Sequence, residues 1–267
     1  MPGPEAGRLA VLPRVMVAPN GARRGKADHP ALPVTITETV ATARACHAAG
    51  AGALHAHVRD AHGAHSLDPG LYGELLAEMA RAVPAMPVQI TTEAAGVYAP
   101  PAQRALLALH PEGLSAALRE ILADDDFAAA RAFYHGAAEA GVAVQHILYA
   151  PEEVDRLAAE QARGTLPAGA MQLLFVLGRY SPGEVSQPAD LVPYLERLGA
   201  TGLVADWALC AFGPAETACL LQALRQGGKA RVGFENNFLQ ADGTTAPDNA
   251  ARVAEIVARD AAGADAS

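Results

Sequence analysis

Cysteine, clustered positive charge and long apolar runs are all scarce in this 267-residue sequence. Three cysteines (Cys46, Cys210 and Cys219) cannot all pair with one another, and none stands in a Cys-x-x-Cys arrangement. That argues against a disulfide framework and for a reducing cytoplasm. Cys46, within an alanine-rich helical run, reads as a small buried residue. The 20 Lys and Arg are dispersed among 29 Asp and Glu, for a net charge of -9, so the concentrated basic face that nucleic acid binding needs is missing. No stretch approaches the roughly 18 uninterrupted apolar residues of a membrane span. The start of the chain, Met1 to Arg8, lacks an apolar signal core and reads as loose, as does the tail Ala261 to Ser267. A glycine-rich phosphate turn is also lacking: Pro19-Asn20-Gly21-Ala22-Arg23 is not the fingerprint of a doubly wound sheet.

What is present is an alternation carried from end to end. Apolar or β-branched runs predict strands at Val15–Ala18, Ala53–Val58, Val88–Thr92, Gly113–Ala116, Val142–Leu148, Gln172–Leu177, Gly202–Asp206 and Ala230–Glu235. Each is followed by helical spacing, near 36–49, 69–82, 101–109, 127–140, 151–161, 187–198, 214–225 and 248–259. Thr35 and Glu38 form a capping-box pattern, and Pro69 and Pro188 suit a first helical turn. Eight strand–helix pairs predict a single (β/α)8 TIM barrel over 1–267, with 1–10 and 261–267 as loose ends. With 51% hydrophobic residues the chain has ample material for one large core.

Chemistry concentrates at two predicted strands. On a strand every second side chain shares a face, so His55 and His57 project together, as do Arg231, Gly233 and Glu235. In a barrel the eighth strand borders the first, and the C-terminal strand ends carry the active site. Two imidazoles and a carboxylate there make a three-ligand site with an open fourth position, as expected of catalytic zinc. Two hydrogen-bonded histidines are the plainer alternative. A glutamate on an apolar, inward strand end, however, needs a cation or Arg231 beside it. Arg231 reads either as that partner or as a planar fork for a substrate carboxylate. Thr91 and Ser115 are strand-end hydroxyls, ordinary on local evidence. His146, inside the fifth strand, is a fourth ligand only if it faces inward, while the remaining histidines fall in turns or helices.

These residues resemble the β-keto acid cleavage enzyme family, whose best-known activity is 3-keto-5-aminohexanoate cleavage. The resemblance runs through Asn20-Gly21-Ala22, His29-Pro30, Leu32-Pro33-Val34-Thr35, Ala49-Gly50-Ala51 and His55-Ala56-His57-Val58-Arg59-Asp60. It continues in Gln89-Ile90-Thr91-Thr92, Pro111-Glu112, Phe175-Val176-Leu177-Gly178 and Arg231-Val232-Gly233-Phe234-Glu235-Asn236. It implies a zinc-dependent barrel, a homo-oligomer, that condenses a β-keto acid with acetyl-CoA to give acetoacetate and a new CoA thioester. His55, His57 and Glu235 would then hold zinc and Arg231 would be catalytic. Thr91 would help to hold the substrate, and Ser115 would sit near its carboxylate.

Three departures from the best-known member bear on substrate and mechanism. Asn236 replaces an acid after the metal glutamate, and an amide cannot take a proton. Arg23 replaces a glutamate that recognises a substrate amino group, which should reject a cationic substrate and favour a neutral or acidic one. Glu93-Ala94 replaces a glycine pair, so Ala94 narrows the pocket and Glu93 adds an acid. Two alternatives stand beside this reading: a metal-dependent barrel hydrolase, whose His-x-His pair would belong on the first strand, and a ligand-binding paralogue without turnover.

Overall fold

Eight short apolar runs form parallel strands in the computed structural model, which describes residues 7–179, 183 and 185–264. They are β1 (Val15–Val17), β2 (Ala53–Ala56), β3 (Val88–Thr91), β4 (Gly113–Ala116), β5 (Ala143–Leu148), β6 (Met171–Leu177), β7 (Ala205–Ala211) and β8 (Lys229–Val232). Their order, β1-β8-β7-β6-β5-β4-β3-β2, closes a barrel. Around it lie α1 (Ile36–Ala48), α2 (Pro69–Ala82), α3 (Pro100–Ala105), α4 (Leu118–Ile121), α5 (Phe127–Glu139), α6 (Glu152–Ala162), α7 (Val192–Thr201), α8 (Glu216–Arg225) and α9 (Asn249–Ala264). The fold is the expected (β/α)8 barrel. Among the described residues no helix is long and apolar enough to cross a membrane, and all three cysteines are buried and unpaired.

Local chemistry sets the helix starts. Thr35 Oγ1 accepts from Glu38 N at 3.2 Å, and Glu38 Oε2 accepts from Thr35 N at 3.1 Å, completing the predicted capping box of α1. Asp68 caps α2 by accepting from Leu71 N at 2.9 Å, ahead of Pro69.

The strands bury both faces. Outward residues such as Leu54, Ile90, Leu114 and Phe175 meet the helices in the main core. Inward residues, among them Met16, Ala53, Leu174, Val176, Ala208 and Cys210, fill the barrel together with Leu9 and Leu12. Leu12 N donates to Asp206 Oδ2 at 2.8 Å, and Gln172 Nε2 donates to Leu9 O at 2.6 Å. The segment before β1 therefore plugs the N-terminal end of the barrel. The loose stretch expected over 1–10 does not extend to Leu9, which is 1% exposed, while residues 1–6 lie outside the described residues. At the other end α9 continues through Ala261 to Ala264, where a loose tail was expected, and 265–267 lie outside the described residues.

Two strand boundaries and one short helix differ from the prediction for identifiable physical reasons. β7 spans Ala205–Ala211 rather than 202–206, because Gly202 (φ +69) takes the left-handed conformation that closes α7. The short α4 has only four residues, too few to display helical periodicity. β8 stops at Val232 rather than reaching Glu235, because the chain turns at Gly233 (φ +150). A Cβ at Gly233 would lie 2.2 Å from Ala18 O, so only glycine permits this close crossing of β1 and β8.

Candidate metal centre

The turn after β8 delivers Glu235 to the C-terminal mouth of the barrel. Its backbone is stitched to neighbouring elements: Gly233 N donates to Glu216 Oε1 at 3.4 Å, Phe234 N to Asn249 Oδ1 at 2.8 Å, and Glu235 N to Ala18 O at 3.1 Å. Gly21, in the loop after β1, faces the Glu235 side chain so closely that a Cβ would lie 2.7 Å from Glu235 Cγ. Arg231 and Glu235 were expected to share a face by strand alternation. They do converge, with Arg231 Nη2 3.4 Å from Glu235 Oε1, but through the turn rather than the pleat.

The imidazoles arrive from β2. His55 lies on the strand, and His57 follows its last residue, just before Val58–Arg59 pairs antiparallel with His65–Ser66. Asn20 holds His57 in place by donating from Nδ2 to His57 O at 3.0 Å. The Arg59 guanidinium donates to the carbonyls of Asn20, Gly21, Arg24 and Gly63, fixing the loop that carries Asn20. Neither Asn20 nor Arg59 was singled out for this role from sequence. Both follow a strand end within the resemblance motifs, which is the signal that could have found them.

The three expected ligands meet. His55 Nε2 and His57 Nε2 are 3.2 Å apart, and each lies 3.7 Å from a different oxygen of Glu235. One ligand atom from each of the three falls within 4.8 Å of the others. His55 and His57 are 1% and 2% exposed. Burial, reinforced by the Arg231 charge, pushes His55 well below the usual histidine range and keeps it neutral. Burial would raise the Glu235 carboxyl, but Arg231 foremost, with the two histidines, holds it well below the usual carboxylate range. Cys210, 3.9 Å from Arg231 Nη2, is pushed by burial up to about 12 and stays a thiol. A buried carboxylate, a neutral imidazole and a second imidazole thus aim donor atoms at one point. Glu235 Oε2 and His57 Nδ1 have no hydrogen-bond partner. This donor set fits a divalent cation of the zinc type.

The other expected residues divide. Arg23, exposed at the rim, lines the same cavity of about 220 Å³ as Arg231 and Glu235. Thr91, Ser115, Ala94 and Asn236 do not line it. Thr91 is buried, and its hydroxyl accepts from Glu93 N at 3.0 Å. Ala94 N donates to Glu120 Oε2 at 3.0 Å. Ser115 Oγ and both amide atoms of Asn236 are buried without hydrogen-bond partners. His146 faces away from the site: its ring packs 5.3 Å from that of Tyr134 on α5, so it cannot be a fourth ligand. Glu93, the added acid, does line the cavity, with Oε2 4.0 Å from His57 Nδ1 and Oε1 3.9 Å from Arg179 Nη2. Arg24, Tyr149 and Arg179 complete a wall that sequence reasoning missed, although Arg179 stands just beyond the end of β6, where barrel enzymes place site residues.

The chain is 26% identical over 257 residues to the 3-oxoadipate:acetyl-CoA acetyltransferase of Cupriavidus necator, covering 91% of this chain and 87% of that one. Among solved structures, apo ObcA superposes with a TM-score of 0.68 at 16% identity, over 88% of this chain. The ternary complex of ObcA with C4-CoA adduct and oxalate gives 0.66 at 17% identity, also over 88% of this chain. The chain spans only 63% and 65% of those two ObcA chains. A type I 3-dehydroquinate dehydratase from Clostridium difficile gives 0.60 at 12% identity, over 92% of each chain. At these identities the structural likeness shows the barrel and no more. Residues 14–263 match the beta-keto acid cleavage enzyme family, and the chain belongs to that family of carbon–carbon bond-cleaving acyltransferases.

Proposed function

We propose that this enzyme is zinc-dependent and condenses a neutral or acidic β-keto acid with acetyl-CoA, giving acetoacetate and a new CoA thioester. The observation that carries the reading is the convergence of His55, His57 and Glu235 beside Arg231, with Glu235 and Arg231 on the wall of a cavity rich in arginine. The name of the Cupriavidus necator relative supports acetyl-CoA as co-substrate. Three buried, unpaired cysteines suit a reducing cytoplasm.

His55, His57 and Glu235 would hold the metal. When bound, a divalent cation there supplies Lewis acidity able to polarise a keto oxygen. The protein's own part is positioning and charge. Arg231 is tethered to Glu235 through Nη2, while its Nε and Nη1 have no hydrogen-bond partner. Those unpartnered N–H groups are donors available to a substrate carboxylate. Arg23, Arg24, Arg179 and Arg231 outnumber the carboxylates of Asp28, Glu93 and Glu235 on the same cavity wall, so a substrate bearing an ammonium group is disfavoured. Asn236 offers no proton acceptor and lies off the cavity wall, which leaves Glu235 to orient Arg231.

The test is acetoacetate release from purified, zinc-loaded protein, with and without acetyl-CoA, across β-keto acids carrying a neutral, carboxylate or amino distal group. Acetyl-CoA-dependent release from neutral or acidic members is expected. Release from none of them defeats the reading, and turnover without CoA points to a hydrolase instead.

A further inference from the structure

As a ligand, His55 must present a bare Nε2 to the site, and only one of the two neutral imidazole tautomers does so. The tautomer is chosen from outside the site, by two buried glutamines inside the barrel. Leu173 O on β6 can only accept, so the Gln145 amide must turn its Nε2 toward it, at 3.2 Å. Gln145 Oε1 is then left to accept from Gln89 Nε2, at 3.1 Å. That fixes Gln89 Oε1 opposite His55 Nδ1, at 2.8 Å. An amide oxygen only accepts, so Nδ1 must carry the proton and Nε2 is bare. The opposite tautomer would set two acceptors face to face. Flipping both amides to relieve that would only move the clash to Gln145 Oε1 and Leu173 O.

Gln89, Gln145 and His55 are each 1% exposed, so the order is held away from bulk solvent. The strand between the two glutamines leaves room for it. Gly113 of β4 pairs with Gln89, and a Cβ there would come within 2.9 Å of Leu9 Cδ1 and 3.7 Å of Gln89 Cβ. His57 has no such constraint, since its Nδ1 has no hydrogen-bond partner. With His55 Nε2 bare, His57 Nε2, 3.2 Å away, becomes the donor between the two rings in the metal-free protein.

We infer that Gln89 and Gln145 are positioning residues: an amide relay anchored on the Leu173 carbonyl that keeps the His55 Nε2 lone pair facing the site. The use made of that lone pair rests on the ligand reading proposed above; the bonding order does not. Outer partners of this kind commonly change metal affinity by about 10–100-fold.

Two measurements test the relay. The first is long-range 1H–15N NMR of the metal-free protein with labelled histidine, His55 being assigned by the signal lost in His55→Ala. It should show His55 protonated at Nδ1 in the wild type and in Gln89→Glu, which keeps an acceptor opposite Nδ1. Gln89→Met and Gln145→Leu should shift it toward the Nε2–H form. The second is zinc affinity by competition with a chelator. Gln89→Met and Gln145→Leu should bind about 10–100-fold more weakly than wild type. A wild-type His55 protonated at Nε2 overturns the relay, as does full zinc affinity in Gln89→Met. If either apolar variant fails to fold, the wild-type spectrum decides alone. An Nδ1–H signal in a protein that binds no zinc supports the bonding order and defeats the ligand assignment instead.

Discussion

Replacing His146 with phenylalanine should flatten part of the acid instability of this protein while leaving metal binding untouched. His146 sits on β5 with its ring against Tyr134 and Nδ1 without a partner. Burial alone pushes it down to about 4 from an ordinary value of 6.5. Below pH 6.5 the unfolded chain takes up a proton here that the folded chain refuses. Stability from this group is therefore complete above that pH and is lost as pH falls toward 4. At about 1.36 kcal/mol per unit, the loss is about 2 kcal/mol by pH 5 and about 3 kcal/mol at pH 4. Phenylalanine cannot titrate, fits a site already lined by an aromatic ring, and removes a buried polar atom without a partner. At pH 7.5 the variant should lie within about 1 kcal/mol of wild type. At pH 5 the balance should move by about 2 kcal/mol in its favour. Urea unfolding of both proteins at the two pH values measures this, and groups common to both cancel in the difference. Parallel pH dependence in the two proteins would refute the reasoning. Loss of bound zinc in the variant would refute the outward placement of His146.

Three further outcomes follow from the geometry. His57→Ala and Glu235→Gln should each lose stoichiometric metal and turnover together, read by elemental analysis and acetoacetate release; a variant with full zinc content defeats the ligand assignment. Arg23→Glu should raise KM for an acidic β-keto acid about 10-fold or more and improve that for an amino-substituted one, through reversal of one cavity charge; unchanged relative kcat/KM values for the two substrates would remove Arg23 from recognition. Glu38→Gln should cost about 1 kcal/mol near neutral pH, discounted because the Glu38 side chain is 39% exposed. Partial burial would raise the Glu38 carboxyl, but Lys26 and the N–H groups of Val34 and Thr35 hold it at about 2 rather than 4.5. Its stabilisation is thus present above pH 4.5 and fades as pH falls toward 2, where the two proteins' melting curves should coincide.

Much of the molecule was legible because local rules and tertiary structure agree. Thr35 with Glu38, and Asp68 with Pro69, start helices where their side chains cap the first turn. The pair His55 and His57 reaches one point, as alternation requires. Residues whose placement depends on distant chain were not legible. Arg179, Arg24 and Tyr149 join the cavity only once the barrel closes. Nothing in the spacing of Gln89 and Gln145, which lie 56 positions apart, marks them as bonded.

The amino-acid order alone determined the strand–helix alternation, hence the barrel, and the chemical types at its mouth: two imidazoles, a carboxylate and a guanidinium. Periodicity states which side chains share a face. It does not state which face turns inward, so His146 was left open until β5 took its place beside α5. Nor does it show where a strand ends against its neighbour. Glu235 reaches the imidazoles because Gly233 can pass within contact of Ala18, and Gly21 clears room for the carboxylate. Those are contacts between chain ends more than 200 residues apart in sequence, and only ring closure brings them into being.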